Sequence, residues 1–387
     1  MKRHEDSFQV TGSARLVTPK AAGASILWDA VTSQQSLQAS PLSDTPLQSL
    51  PEASQTIYCE SSGSTGQAKL IRRHPNTWCA SFNVNRQRFG IEPRDTYAVL
   101  GHLGHSLTLY GALEAMHIGS GLALLGDMPP RQQATALRQY RASIIYATPS
   151  QLSLITRTDA DLFPDVSHIL VGGGKLDFQL HDVLRDRFPN AQVVEFFGAS
   201  ETSFVTVSDH RTPKGSVGKA YPHVTLRIGE GLAVGETGEI WVKSPYLFEG
   251  YERGSSALTK WQDGFLSIGE MGQLDAAGYL YLKGRKSRMV TVADQNVFPE
   301  AIEAVLLGQP EIVAAAVITP SDPLRGHIIV AAVMGNTKAI DLRKLCRAEL
   351  GEAAVPRKIW EVAQMPMLPA GKPDLQHLEA LWWKEQG

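Results

Sequence analysis

A chain of 387 residues is longer than one ordinary hydrophobic core organises, so two or three domains are expected. With 43% hydrophobic residues, 20% charged residues and a formal net charge of -2, it has the composition of a soluble globular protein and no overall basic excess for nucleic acid or an anionic membrane. Cys59, Cys79 and Cys346 are far apart and odd in number, which argues for buried thiols and against a disulfide framework or a zinc site. The opening Met1-Lys2-Arg3-His4-Glu5-Asp6 leads into no apolar run, and stretches such as 312–319 are too short to span a bilayer. A cytoplasmic protein with no membrane or nucleic-acid partner is expected.

Residues 1–55 show little periodicity, and the Ser-, Gln- and Pro-rich run 37–51 reads as a loose connection. A strand-like 56–59 then leads into Ser61-Ser62-Gly63-Ser64-Thr65-Gly66-Gln67-Ala68-Lys69. Two glycines and four hydroxyl residues before a lysine make a turn whose N–H and O–H groups can converge on an anion such as a polyphosphate. The spacing is not that of a P-loop, which needs four residues between its glycines and then Gly-Lys-Ser/Thr. On composition alone such a segment is more often a plain loop.

Helices over 76–89, 107–117 and 130–141 alternate with strands over 97–100, 121–125 and 143–147, which predicts a mainly parallel, helix-covered sheet. Gly101-His102-Leu103-Gly104-His105-Ser106 follows the first of these strands. A further strand, 167–171, runs into Gly172-Gly173-Gly174, ahead of a helix over 178–188. Three glycines there either let a ligand approach the backbone at the carboxyl end of the sheet or simply turn the chain. The strand beginning at Gln192 carries Phe196-Phe197-Gly198-Ala199-Ser200-Glu201, placing a carboxylate just past its end. From about 214 short β-segments over 225–228, 238–243 and 279–283 predict a small antiparallel barrel or sheet. After Arg285 an α+β pattern follows, with helices over 299–307 and 342–350 and strands over 312–318, 328–334 and 358–362. It ends in Leu368-Pro369-Ala370-Gly371-Lys372-Pro373-Asp374, where a lone lysine would by default be a solvated one.

Taken in order, these segments resemble those of the acyl-adenylate-forming superfamily, which includes acyl-CoA synthetases, aryl-acid adenylating enzymes, peptide-synthetase adenylation domains and luciferases. The resemblance covers about 56–380. It implies an α/β fold: a large N-terminal domain of mainly parallel helix-covered sheet, a small β-rich subdomain and a small mobile α+β C-terminal lid. The expected boundaries are a reduced N-terminal extension at 1–55, an adenylation core at 56–285 with the β-rich part at 214–285, and the lid at 286–387.

The resemblance further implies ATP-dependent adenylation of a small carboxylic acid with release of pyrophosphate. Transfer to a thiol follows, either of CoA, placed first, or of the phosphopantetheine of an acyl carrier protein. Ser62, Gly63, Ser64, Thr65, Gly66 and Lys69 would hold the phosphates, Gly198, Ala199 and Ser200 the nucleotide, and Glu201 a Mg²⁺ ion. Glu270 and Arg285 would serve the ribose and phosphate, and Lys372, with Glu201 and Thr65, the chemistry. His105, Gly172, Gly173, Gly174, Phe196 and Phe197 are the pocket candidates, and a glycine slot between aromatic walls suits a flat aryl acid; for both phenylalanines a core position is the alternative. The sequence departs from the family pattern at Ala68 (usually proline), Phe197 (tyrosine), Ile268 and Glu270 (the Thr and Asp of Thr-Gly-Asp), Ser287 (a hinge aspartate) and Ala293-Asp294 (a glycine pair). The short N-terminal region and the departures at Ala68, Ile268, Glu270 and Ser287 leave open a non-catalytic nucleotide- or acyl-binding descendant, against which Lys372 in its full motif stands.

Overall fold

A computed structural model describes residues 7–41, 43–52, 54–61, 68–176, 178–292, 295–322, 326–368 and 373–386. The chain divides into two compact units, Met1–Arg227 with Trp241–Leu266 and Asp275–Tyr281, and Ile228–Ile240 with Ser267–Leu274 and Leu282–Gly387. Segments 228–240 and 267–274, expected with the 214–285 subdomain, thus fall in the second unit.

The first unit is built on an eight-stranded sheet. Strands Arg15–Leu16, Gly121–Leu124, Thr96–Val99, Ile144–Ala147, His168–Val171 and Gln192–Ala199 lie side by side in that order, all parallel. Ser203–Val207 and Lys219–Ala220 extend it antiparallel. Thr96–Val99, Gly121–Leu124 and Ile144–Ala147 are buried along their whole length, as strands covered on both faces must be. Local chemistry sets the helices between them. Pro75–Phe89 has a proline in its first turn and ends at Gly90 in the left-handed conformation, and Pro149–Thr158 starts with a reciprocal capping box between Thr148 and Gln151. Leu137, Leu152, Ile155, Leu184 and Phe188 pack against Ala98, Ile145, Ile169 and Val171 in one buried cluster. Each fully buried large aliphatic side chain there contributes roughly 1.5–3 kcal/mol.

A second sheet of the same unit runs Gly250–Arg253, Lys69–Arg73, Ile57–Ser61, Ser36–Ala39, Leu47–Leu50. The expected loose connection is therefore wrong over two of its stretches. Ser36–Ala39 pairs parallel with the strand at 57–61 and antiparallel with Leu47–Leu50, and a helix, Ala24–Thr32, precedes them. Backbone pairing to an already formed neighbour decides these polar segments, whose composition lacks a strand signal.

In the second unit, Ile312–Ile318 pairs antiparallel with Val330–Gly335, which pairs parallel with Lys358–Glu361. One face of that sheet buries Ile302, Leu306, Val317, Val333 and Cys346 with helices Pro299–Leu307 and Leu342–Leu350. The other buries Ile318, Val330, Trp360, Leu378 and Trp382, the last two from helix Leu375–Gln386, which the sequence pattern did not signal. All three cysteines are free and buried. Among the described residues no helix is long and apolar enough to cross a membrane.

Candidate active site

Ser61 faces Lys69 in the antiparallel pairing of Ile57–Ser61 with Lys69–Arg73, so the two ends of the expected phosphate loop stand side by side on one hairpin. The loop's Ser62, Gly63, Ser64, Thr65 and Gly66 lie outside the described residues, as do Ala293, Asp294 and Lys372. Lys69 Nζ stands 5.5 Å from the centroid of the Tyr251 ring. Tyr251 is carried by the strand that borders Lys69–Arg73 on the other side. Its hydroxyl donates to Glu201 Oε1 at 2.9 Å and shares a second hydrogen bond with Thr259 Oγ1 at 2.9 Å. Burial, and then the Glu201 charge, raise the Tyr251 phenol, which keeps its proton and remains a donor. Lys69 and Glu201, far apart in sequence, are thus joined through one tyrosine whose position in the sequence gives no hint of this role.

Glu201 occupies the tip of a hairpin. Ala199 pairs with Ser203, and Ser200, Glu201 and Thr202 make the turn. Ala199 N–H donates to Thr202 Oγ1 at 3.0 Å, and Thr202 N–H to the Ala199 carbonyl at 3.1 Å. Phe248 N–H holds the Glu201 carbonyl at 2.9 Å, and the guanidinium of Arg73 holds the Ser200 carbonyl at 2.7 Å. The hairpin is so tight that a Cβ on Gly198 would sit 1.9 Å from the Ser203 carbonyl oxygen, so only glycine fits.

One carboxylate at an accessible turn, with a neutral hydroxyl on one oxygen, fits a Mg²⁺ ion, which takes one or two carboxylates and completes its shell with water and phosphate oxygens. Among the described residues no group of three or more His, Cys, Asp or Glu side chains could form an all-protein cage. Glu201 would hold the ion, whose chemistry is to neutralise charge on the phosphates.

The pocket candidates lie in the same unit. His105 is half-buried just before helix Ser106–Ile118, and burial, then the neighbouring His102, lower its pKa. Gly172, Gly173 and Gly174 leave the end of strand His168–Val171, Gly173 with φ +78°. Glu195 Oε1 accepts from Leu176 N–H at 2.9 Å and ties this turn to the next strand. A Cβ on Gly172 would lie 2.3 Å from the Phe196 ring. The bare face of this glycine is therefore filled by Phe196, whose ring packs in turn, tilted, against Phe204, centroids 4.2 Å apart. At this glycine the aryl-acid slot is taken up by the protein's own side chain. Phe197, next along the strand, is half-buried and pairs with Thr206.

In the second unit Arg285 Nε meets Glu270 Oε1 at 3.2 Å, so the two expected nucleotide contacts hold each other. The next residue, Lys286, pairs with Glu239 at 2.8 Å.

The profile of AMP-binding enzymes matches residues 10–252 and that of the AMP-binding enzyme C-terminal domain residues 301–372. The chain belongs to the AMP-binding enzyme family. It is 33% identical over 319 residues to an uncharacterised acyl-CoA ligase of Bacillus subtilis, covering 80% of this chain and 65% of that one. It is 26% identical over 341 residues to an indoleacetate-CoA ligase of Aromatoleum aromaticum, covering 82% and 65%. The chain thus spans about two thirds of the length of these relatives.

Among solved structures it is similar to o-succinylbenzoate CoA synthetase of Bacillus subtilis in complex with its acyl-adenylate intermediate, with a TM-score of 0.75 and 23% identity over 84% of this chain and 68% of that one. Its likeness to an amide bond synthetase of Marinactinospora thermotolerans has a TM-score of 0.74 at 23% identity, over 95% and 79%. The α/β fold with a large sheet domain and a small C-terminal domain is that of the adenylate-forming enzymes.

Proposed function

We propose that this chain activates a carboxylic acid with ATP and passes the acyl group to a thiol, that of CoA in the first place. A carboxylate resists nucleophiles because it is negatively charged and oxide is a poor leaving group. In the first step a carboxylate oxygen attacks the α-phosphorus, the bond to the bridging oxygen breaks, and pyrophosphate leaves; in the second a thiolate attacks the acyl carbon and AMP leaves. The observation that carries the reading is the approach of Lys69 and Glu201 on either side of Tyr251, at the foot of a hairpin that presents both ends of the Ser/Thr/Gly loop. A lysine for the outer phosphates and a carboxylate for Mg²⁺ are what a polyphosphate nucleotide needs from a preorganised site. Thr65 and the other loop residues, Gly198, Ala199 and Ser200, with Arg285 and Glu270 as a pair that opens to the nucleotide, complete the assignment. The C-terminal residues from 286 act as a mobile lid that brings Lys372 to the reacting carboxylate.

Exchange of labelled pyrophosphate into ATP, run over a panel of aryl and fatty acids, tests the first step. Exchange with at least one acid is expected, and none with any acid would favour the non-catalytic reading. Thioester yield from the same acyl-adenylate with CoA and with a pantetheinylated carrier protein then decides the acceptor. Ser287 and the Ala293-Asp294 pair favour the carrier protein, and turnover of that acceptor alone would replace CoA.

A further inference from the structure

Arg73 ends the strand that begins at Lys69 and is only 1% exposed. A buried guanidinium is costly unless its charge is met, and by far the commonest answer is a carboxylate in contact. Arg73 has no ion pair among the described residues. Its donors reach neutral oxygens instead: the Tyr246 carbonyl at 2.5 Å, the Ser200 carbonyl at 2.7 Å and Thr77 Oγ1 at 2.9 Å, while the Trp78 ring lies 5.4 Å from its central carbon. Burial lowers its pKa to about 10, opposed by Cys59 and Glu201, so it is a cation at neutral pH.

Two features separate this arginine from an ordinary core residue. One of its contacts falls on the carbonyl immediately before Glu201, and the Glu201 charge acts on it through space. Alternation along a strand also puts Arg73 on the same face as Lys69. The strand therefore touches the Glu201 turn at both ends, through Tyr251 at Lys69 and directly at Arg73.

We propose that Arg73 is a positioning residue for the metal carboxylate: its fork fixes the Ser200-Glu201-Thr202 turn, and its buried charge, unmatched by any contacting anion among the described residues, is balanced by Glu201. The proposal rests on the assignment of Glu201 as the Mg²⁺ ligand.

The test uses the full chain with Mn²⁺ in place of Mg²⁺ and α,β-methylene-ATP as an unreactive nucleotide, with free Mn²⁺ followed by electron paramagnetic resonance. Outer partners of metal ligands typically govern ~10–100-fold in metal affinity. Arg73→Gln should weaken Mn²⁺ binding at the lower end of that range, about tenfold, and Arg73→Lys, which keeps the charge and loses the fork, by less. Adding Arg73→Gln to Glu201→Gln should cost little more than Glu201→Gln alone. A merely structural arginine would lower thermal stability and leave Mn²⁺ affinity as it is. Wild-type affinity in both Arg73 variants, with Glu201→Gln weakened, overturns the proposal and leaves the metal assignment standing. Wild-type affinity in Glu201→Gln itself removes the metal assignment, and the proposal with it. Should Arg73→Gln not fold, Arg73→Lys alone decides between these outcomes.

Discussion

Glu114 has no exposed surface and sits among hydroxyls and an amide. Its Oε2 accepts from Tyr146 Oη at 2.6 Å and its Oε1 from Asn85 Nδ2 at 2.8 Å, while Tyr221 Oη donates to Asn85 Oδ1 at 2.6 Å. Burial raises this carboxyl from 4.5 to about 7 against the opposing pull of the Tyr146 and Asn85 hydrogen bonds. The folded state therefore holds a proton that the unfolded state releases between those values, so stability from this group is full below pH 4.5 and is lost as pH rises to about 7. The loss amounts to about 3 kcal/mol. Glu114→Gln keeps the shape and has no such proton, so the stability gap between variant and wild type should shift in the variant's favour by that order between pH 4.5 and pH 8. Urea unfolding midpoints of both proteins at the two pH values measure it, and parallel pH dependences would refute it.

Among the elements, strand Gln192–Ala199 shows what packing imposes on a loop that looked like a ligand slot. Gly172 has to be glycine because Phe196 lies on it, and Phe196 is held there by Phe204. Overpacking by one methyl in a filled site costs typically ~1–3 kcal/mol. Gly172→Ala should therefore lower thermal stability, and Phe196→Leu should relieve most of that loss when the two are combined. An undiminished loss in the double variant would mean that the backbone at Gly172, and not the ring, demands glycine. Elements of this kind were legible from sequence where a buried face repeats, as in the strands at 96–99 and 144–147 and the helix at 75–89. They were illegible where a neighbour supplies the reason for order. Ser36–Ala39 and Leu47–Leu50 become strands by pairing, and helix Leu375–Gln386 exists to bury Leu378 and Trp382. The site divides in the same way. Glu201 and Lys69 could be picked out by their local motifs, whereas Tyr251 and Arg73 join the candidate site only through tertiary contacts. For Arg73 one trace existed, a charged residue following Leu70 and Ile71 in a short β-segment, but burial is what turns that trace into an argument.

On the scale of the whole molecule, the chain has two units with separate cores, and the proposed chemistry has two half-reactions with different needs. Adenylation builds negative charge between carboxylate and α-phosphate. Thioester formation removes AMP from an acyl carbon and has no such charge to hold at the same place. The closing motif is in the second unit, within the matched C-terminal domain. Met367 and Pro373 pair across the 369–372 segment, and helix Leu375–Gln386 is anchored just beyond it by Leu378 and Trp382. On the proposed reading, Lys372 supplies the one cation that a mobile lid would present for one step and withdraw for the other. Removing a preorganised charge from a developing anion costs ~10²–10³-fold in rate. Lys372→Ala should accordingly reduce pyrophosphate exchange by that factor while thioester formation from a supplied acyl-adenylate falls far less. Thermal unfolding of the variant, compared with wild type, separates a loss of catalysis from a loss of folding. Equal losses in the two half-reactions would remove the lid from the proposal and make Lys372 a fixed part of the site.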